Sequence, residues 1–170
     1  MRVKYFIMFL IIAALLAGCG KNNAKTTNTI DNSPPPTKEI TDINEFQQVY
    51  TDWVNRLIVV SESATQAYND WSSGQLSRDG YATKVKELYK ETKRLKTEYT
   101  YNVVFKLSDA DKEQANYDLI NSSYSKALNE LNDVLRILQN LEEDKIETAY
   151  NYSNKVVNDN IAKLKKYLNI

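Results

Sequence analysis

The chain has 170 residues, with 22 basic and 22 acidic side chains, no histidine and one cysteine. Without histidine it lacks the commonest general base, zinc ligand and pH switch, and a single cysteine closes no disulfide within these residues. A formal net charge of zero excludes the basic balance expected of a nucleic-acid-binding domain.

Four glycines and three prolines, set among many Lys, Glu, Leu and Asn residues, favour long helices over a turn-rich sandwich. The first segment is different. Arg2 and Lys4 make a short basic start, Phe6 to Leu16 form an apolar run, and the small residues Ala17 and Gly18 follow. These are the parts of a secretory signal. A retained membrane span is the alternative, but the run falls short of the roughly 20 residues a bilayer requires. A plain secretory signal cut at another point is a second alternative.

Leu16-Ala17-Gly18-Cys19 resembles the lipobox of bacterial lipoproteins, a resemblance that covers about the first twenty residues, and with the helical seams that follow the chain resembles small helical-bundle surface lipoproteins. The resemblance implies cleavage after residue 18 and a diacylglyceryl group on the Cys19 thiol. Cys19 is then the first mature residue and the lipid-attachment site, with no other cofactor expected. Two acyl chains on one residue anchor stably where one does not. The implied place is extracytoplasmic, on the outer face of the cytoplasmic membrane if the source is Gram-positive. Removing Arg2 and Lys4 leaves the mature chain at about −2.

Residues 19–41 read as a disordered, Pro-containing tether. Lys21 to Thr29 is polar and aperiodic, and Pro34-Pro35-Pro36 cannot enter a helix because proline lacks the amide donor and clashes with the preceding turn. Such a segment reaches roughly 25 Å as a flexible chain.

Residues 42–170 carry four seams of apolar residues. The first helix is expected over 42–73. Asp42 with Glu45 offers a capping box, and Phe46, Tyr50, Trp53, Leu57, Val60, Ala64 and Ala67 repeat at alternating spacings of three and four, a heptad seam that fits no strand. A second helix is expected over 78–105 behind the N-cap Ser77, on a seam from Tyr81 through Leu95 and Tyr99 to Val103, with Val103–Phe105 able to fray into the turn. A third is expected over 109–140 behind Ser108 and Asp111. The fourth is expected over 144–168, with Asp144 and Glu147 as its capping box. No Gly or Pro separates the last two, so a bent continuous helix is the alternative there.

Short connections make sequence neighbours antiparallel, so the expected fold is all-α: an up-down-up-down four-helix bundle. Charge agrees. Residues 42–73 carry a net −4, residues 78–106 a net +4 and residues 109–140 a net −3, which favours the second helix lying between the first and third, although each exposed pair contributes little.

Within this bundle Thr92 and Ser153 fall at about the height of Tyr124, where they could accommodate its ring and bond its hydroxyl. Five aromatics, Tyr68, Trp71, Tyr81, Tyr150 and Tyr152, fall toward the end away from the tether, where they either cap the core or form a binding patch for glycan or protein. Lys84, Lys86, Lys90, Lys93, Arg94 and Lys96 are interleaved with Glu87, Glu91 and Glu98, the pattern of a solvated face. No phosphate-binding glycine loop, HExxH motif, metal-ligand set or nucleophile–base pair is present. Asn121-Ser122-Ser123 matches a glycosylation pattern that a bacterial lipoprotein would not ordinarily use.

These features point to a protein that is not an enzyme. The expected role is a membrane-anchored surface protein that binds or scaffolds an envelope protein or a cell-wall polymer, with no nucleic-acid partner. The alternative is a small-ligand binding or sensing protein that uses the bundle interior.

Overall fold

The computed structural model describes residues 37–170. The expected signal, Cys19 and the tether up to residue 36 lie outside the described residues. Among the described residues the chain is predominantly helical, with five α-helices, one π-helical turn and two three-residue strands.

Strand β1 spans Lys38–Ile40. Helix α1, Ile43–Ser72, starts where expected: Asp42 is extended and its Oδ1 accepts from the amides of Asn44 and Glu45, both at 2.9 Å. Only half of the capping box forms, since the Glu45 carboxylate pairs with Lys38 Nζ at 2.6 Å. The expected seam is the buried stripe, widened by Val54 and Ser61. Gly74 ends the run at φ +76°, a left-handed conformation that glycine adopts without steric penalty.

Helix α2, Arg78–Thr97, is capped by Ser77 Oγ, which accepts from the Gly80 amide at 3.1 Å. It is shorter than its seam suggests. Residues Glu98–Asn102 form a π turn, and Val103–Phe105 is strand β2, paired parallel with β1 in the register Lys38↔Val103, Glu39↔Val104, Ile40↔Phe105. Two expectations are corrected here: the second helix does not run to 105, and the tether does not extend to 41. The cause is one long-range pairing. A β-branched and aromatic run finds a partner strand, and Ile40 gains complete burial.

The third expected helix is also divided. Helix α3, Asp109–Gln114, begins at Ser108, whose Oγ accepts from the Asp111 amide at 3.1 Å. Asn116 then adopts a left-handed conformation at φ 53°, and helix α4, Tyr117–Leu138, follows. Asparagine tolerates this region better than most side chains.

Helix α5, Glu143–Leu168, is separate from α4, so the bent continuous helix does not form. The stop lacks glycine or proline, but a cation holds it: Arg78 Nη2 donates to the carbonyls of Leu138 at 3.3 Å, Gln139 at 3.4 Å and Leu141 at 2.9 Å. A guanidinium on the last carbonyls satisfies orphan acceptors and complements the helix dipole. The expected Asp144/Glu147 capping box is not used. The N-cap is Glu142, without a side-chain cap bond, and Asp144 lies inside the first turn.

Helix α1 packs on α2, α2 on α4, α4 on α5, and α5 on α1. The basic α2 therefore lies against both acidic segments, as the charge pattern favours. One continuous core runs from Ile40 and Phe46 to Leu164.

Candidate functional site

Four of the five aromatics singled out in the sequence meet. Tyr68 stacks on Tyr150, with ring centroids 4.1 Å apart and planes at 13°; Trp71 stacks on Tyr81 at 5.3 Å and 25°; and Tyr68 and Trp71 are 6.0 Å apart. Two of the set are core, and Tyr68 and Trp71 are half-buried against it. Tyr81 is 1% exposed and Tyr150 6%, and the Tyr150 hydroxyl donates to Thr65 Oγ1 at 2.8 Å. Burial pushes the phenols of Tyr81, Tyr150 and Tyr68 up, and the Glu147 carboxylate adds to the rise at Tyr68. Tyr152 stands apart from the stack at 69% exposure. The five residues therefore do not form one exposed patch. The physical reason is helical geometry: Tyr150 and Tyr152 are two positions apart and so face different directions on α5.

The expected layer around Tyr124 is rearranged. Tyr124 is fully buried, but its hydroxyl has no hydrogen-bond partner. Thr92 Oγ1 instead accepts from Asn132 Nδ2 at 2.9 Å and donates to the Tyr89 carbonyl at 2.9 Å, while Ser153 donates to Glu130 Oε1 at 2.5 Å. Asn132 went unnoticed in the sequence because it lies one position off the seam, beside Leu131.

A second aromatic cluster occupies the end of the domain near the strands. Tyr50 stacks on Phe105 at 5.3 Å, Trp53 stacks on Tyr124 at 5.6 Å, and Phe46 lies 5.1 Å from Phe105. Asn121 Oδ1 accepts from both Tyr50 and Tyr99, each at 2.8 Å. That oxygen is committed to the fold.

Beside this cluster, Arg56 of α1 clasps the end of α2. Its Nη1 lies 2.6 Å from Glu98 Oε2, and its Nη2 lies 3.1 Å from Glu98 Oε1 and 3.3 Å from Glu91 Oε1. The guanidinium holds the Glu98 carboxyl below the usual carboxylate range, against the opposing effect of burial. Next to the clasp, an open surface groove of about 460 Å³ runs between α1 and the π turn. Val49, Trp53 and Val103 supply its apolar lining, with Gln48, Asp52 and Asn102 among its polar residues.

Between the helices, the space lined by Ser61, Tyr81, Val85, Leu135 and Tyr150 amounts to about 10 Å³, no more than a single water molecule requires. The basic face of α2 is solvated and laced with local pairs: Arg94 reaches Glu91 at 2.8 Å, Lys84 reaches Glu87 at 3.9 Å, and Lys93 lies 5.9 Å from the centre of the Tyr89 ring. Among the described residues no group of three His, Cys, Asp or Glu side chains converges to hold a metal, and no helix is long and apolar enough to cross a membrane. Comparison of the chain with protein-family models, with curated proteins and with solved structures found no match.

Proposed function

We propose that this chain is a lipid-anchored extracytoplasmic protein that binds or scaffolds an envelope protein or wall component without catalysing a reaction. The anchor reading rests on Leu16-Ala17-Gly18-Cys19. The binding reading rests on one observation: the space between the helices lined by Ser61, Tyr81 and Tyr150 has room for only about 10 Å³, while the groove beside Trp53 on the outer surface is far larger. That favours a macromolecular partner over a small ligand held inside the fold, since ligand pockets measure about 300–1,000 Å³. We further read the helices as an up-down-up-down four-helix bundle, α1, α2, α3 with α4, and α5. The circuit of packing from α1 through α2, α4 and α5 back to α1 supports that order.

The test is cross-linking on intact cells followed by purification of the lipidated chain from its membranes, with Cys19→Ala as the control. A partner recovered with the wild type and reduced with the control is the expected result. Recovery of nothing reproducible, together with saturable uptake of a small molecule by the purified domain, would reverse the reading.

A further inference from the structure

The end of α2 is a point of competition between two structures. The apolar seam continues past the observed end of the α-helix, with Leu95, Tyr99 and Val103 at helical spacing and no Gly or Pro anywhere from residue 81 to 170. The same stretch, Tyr99-Thr100-Tyr101-Asn102-Val103-Val104-Phe105, is rich in strand-forming residues. Neither local preference decides the outcome. The deciding contact is β1, which pairs with Val103–Phe105 from more than sixty positions away.

The junction between the two structures carries signs of that competition. Residues Glu98–Asn102 are wound as a π turn, a form found mostly as single turns inside α-helices. Asn102 Oδ1 is buried there without a donor. The hold of β1 is short and has one buried anchor. It consists of the three-residue parallel ladder to Val103–Phe105, the fully buried Ile40 side chain, the Lys106 amide donating to the Ile40 carbonyl at 2.8 Å, a 3.3 Å bond from Thr37 Oγ1 to the Tyr101 carbonyl, and exposed ion pairs from Lys38 to Glu45 and Glu39 to Lys106, each at 2.6 Å. Exposed pairs add little, and segments with few buried contacts open locally. Opposing release is Phe105, whose ring packs on Phe46 and Tyr50, so the paired form is the ground state.

We propose that β1 is a switch strand. While Lys38–Ile40 is paired, the end of α2 is held as a π turn and strand; when β1 lifts, residues 98–105 wind on as a continuation of α2. Winding shortens Val103–Phe105 from about 10 Å to about 4.5 Å and moves Phe105 out of the aromatic cluster. It also removes the groove beside Trp53, because Lys38, Asn102 and Val103 line it. The state of the N-terminal strand is thereby coupled to the surface between α1 and α2. This coupling holds whether or not Cys19 carries lipid.

Two variants of the full chain test it, Ile40→Asp and Ile40→Gly, read by backbone NMR shifts of residues 98–105, with the amides of Leu131 and Val157 as fold controls. The expected result is that the Cα shifts of Val103–Phe105 cross from the strand side of random coil to the helix side. If the charge at position 40 abolishes protection of α4 and α5, the glycine variant decides by the same reading. Shifts that remain extended, or that collapse to coil without helical character while the controls stay protected, overturn the proposal.

Discussion

Asn132 Nδ2 donates to Thr92 Oγ1 at 2.9 Å between two buried side chains, one on α4 and one on α2. Asn132 Nδ2 depends on Thr92 for its partner, and the Thr92 hydroxyl, which also donates to the Tyr89 carbonyl at 2.9 Å, takes its one donor from Asn132. Replacing either alone, by Asn132→Leu or Thr92→Val, leaves a buried polar atom without its partner and should destabilise the domain by about 1–3 kcal/mol. Replacing both should restore much of that loss. Urea unfolding of the two single variants and the double variant measures the coupling, and strictly additive losses would show that the pair does not act as a unit.

Tyr124 and Asn121 should respond in opposite ways. The Tyr124 hydroxyl is buried without a partner, so Tyr124→Phe should be neutral or stabilising by up to about 1 kcal/mol. Asn121 Oδ1 serves two phenols, so Asn121→Ala should destabilise by about 2 kcal/mol or more. Thermal unfolding of both variants separates them, and a large loss from Tyr124→Phe would mean that its hydroxyl has a partner.

The Arg56–Glu98 clasp predicts an acid dependence. Burial opposes the effect, but the Arg56 guanidinium lowers the Glu98 pKa below its ordinary 4.5. A carboxylate with a depressed folded-state pKa contributes stability that is present above its unfolded value and is lost as pH falls through the folded one. Stability from this pair should therefore be level from neutrality to about pH 4.5 and fall below it. Arg56→Gln should lower stability at neutral pH by about 1 kcal/mol, a modest loss because the pair is partly solvated, and should flatten the acid limb. An acid limb unchanged in Arg56→Gln would count against the clasp as its source.

Legibility in the sequence followed the range of the interaction. Asp42, Ser77 and Ser108 each cap a helix within three residues of themselves, and all three were legible, as was the seam from Phe46 to Ala67. The strand at Val103–Phe105 was not, because its partner lies at Lys38–Ile40 and its own spacing suits a helix. The division at Asn116 was equally hidden, since no Gly or Pro marks it. Of the distal aromatics, the sequence placed Tyr68, Trp71, Tyr81 and Tyr150 in one region correctly. It put Tyr81 on the seam of the second helix but left Tyr150 off any seam, because stacking partners are chosen between helices.

At high pH the buried phenols set the limit. Burial raises Tyr50, Tyr81 and Tyr124 above their ordinary 10.0, so the unfolded chain releases these protons first. For an acid whose folded-state pKa is raised, the contribution is complete below the unfolded value and lost as pH rises above it. Stability should therefore fall above about pH 10, and phenolate absorbance from these residues should appear together with loss of tertiary circular dichroism. Full phenolate absorbance with the fold intact would contradict the burial of these rings.

The most direct measurement of the central claim is intact mass spectrometry of the protein extracted from its own membranes with detergent. The account predicts a mature chain that begins at Cys19 and carries the mass of a diacylglyceryl group on that residue, with Cys19→Ala recovered unlipidated and released from the membrane fraction. A wild-type chain that begins at another residue, or that carries a free thiol at Cys19, would contradict it.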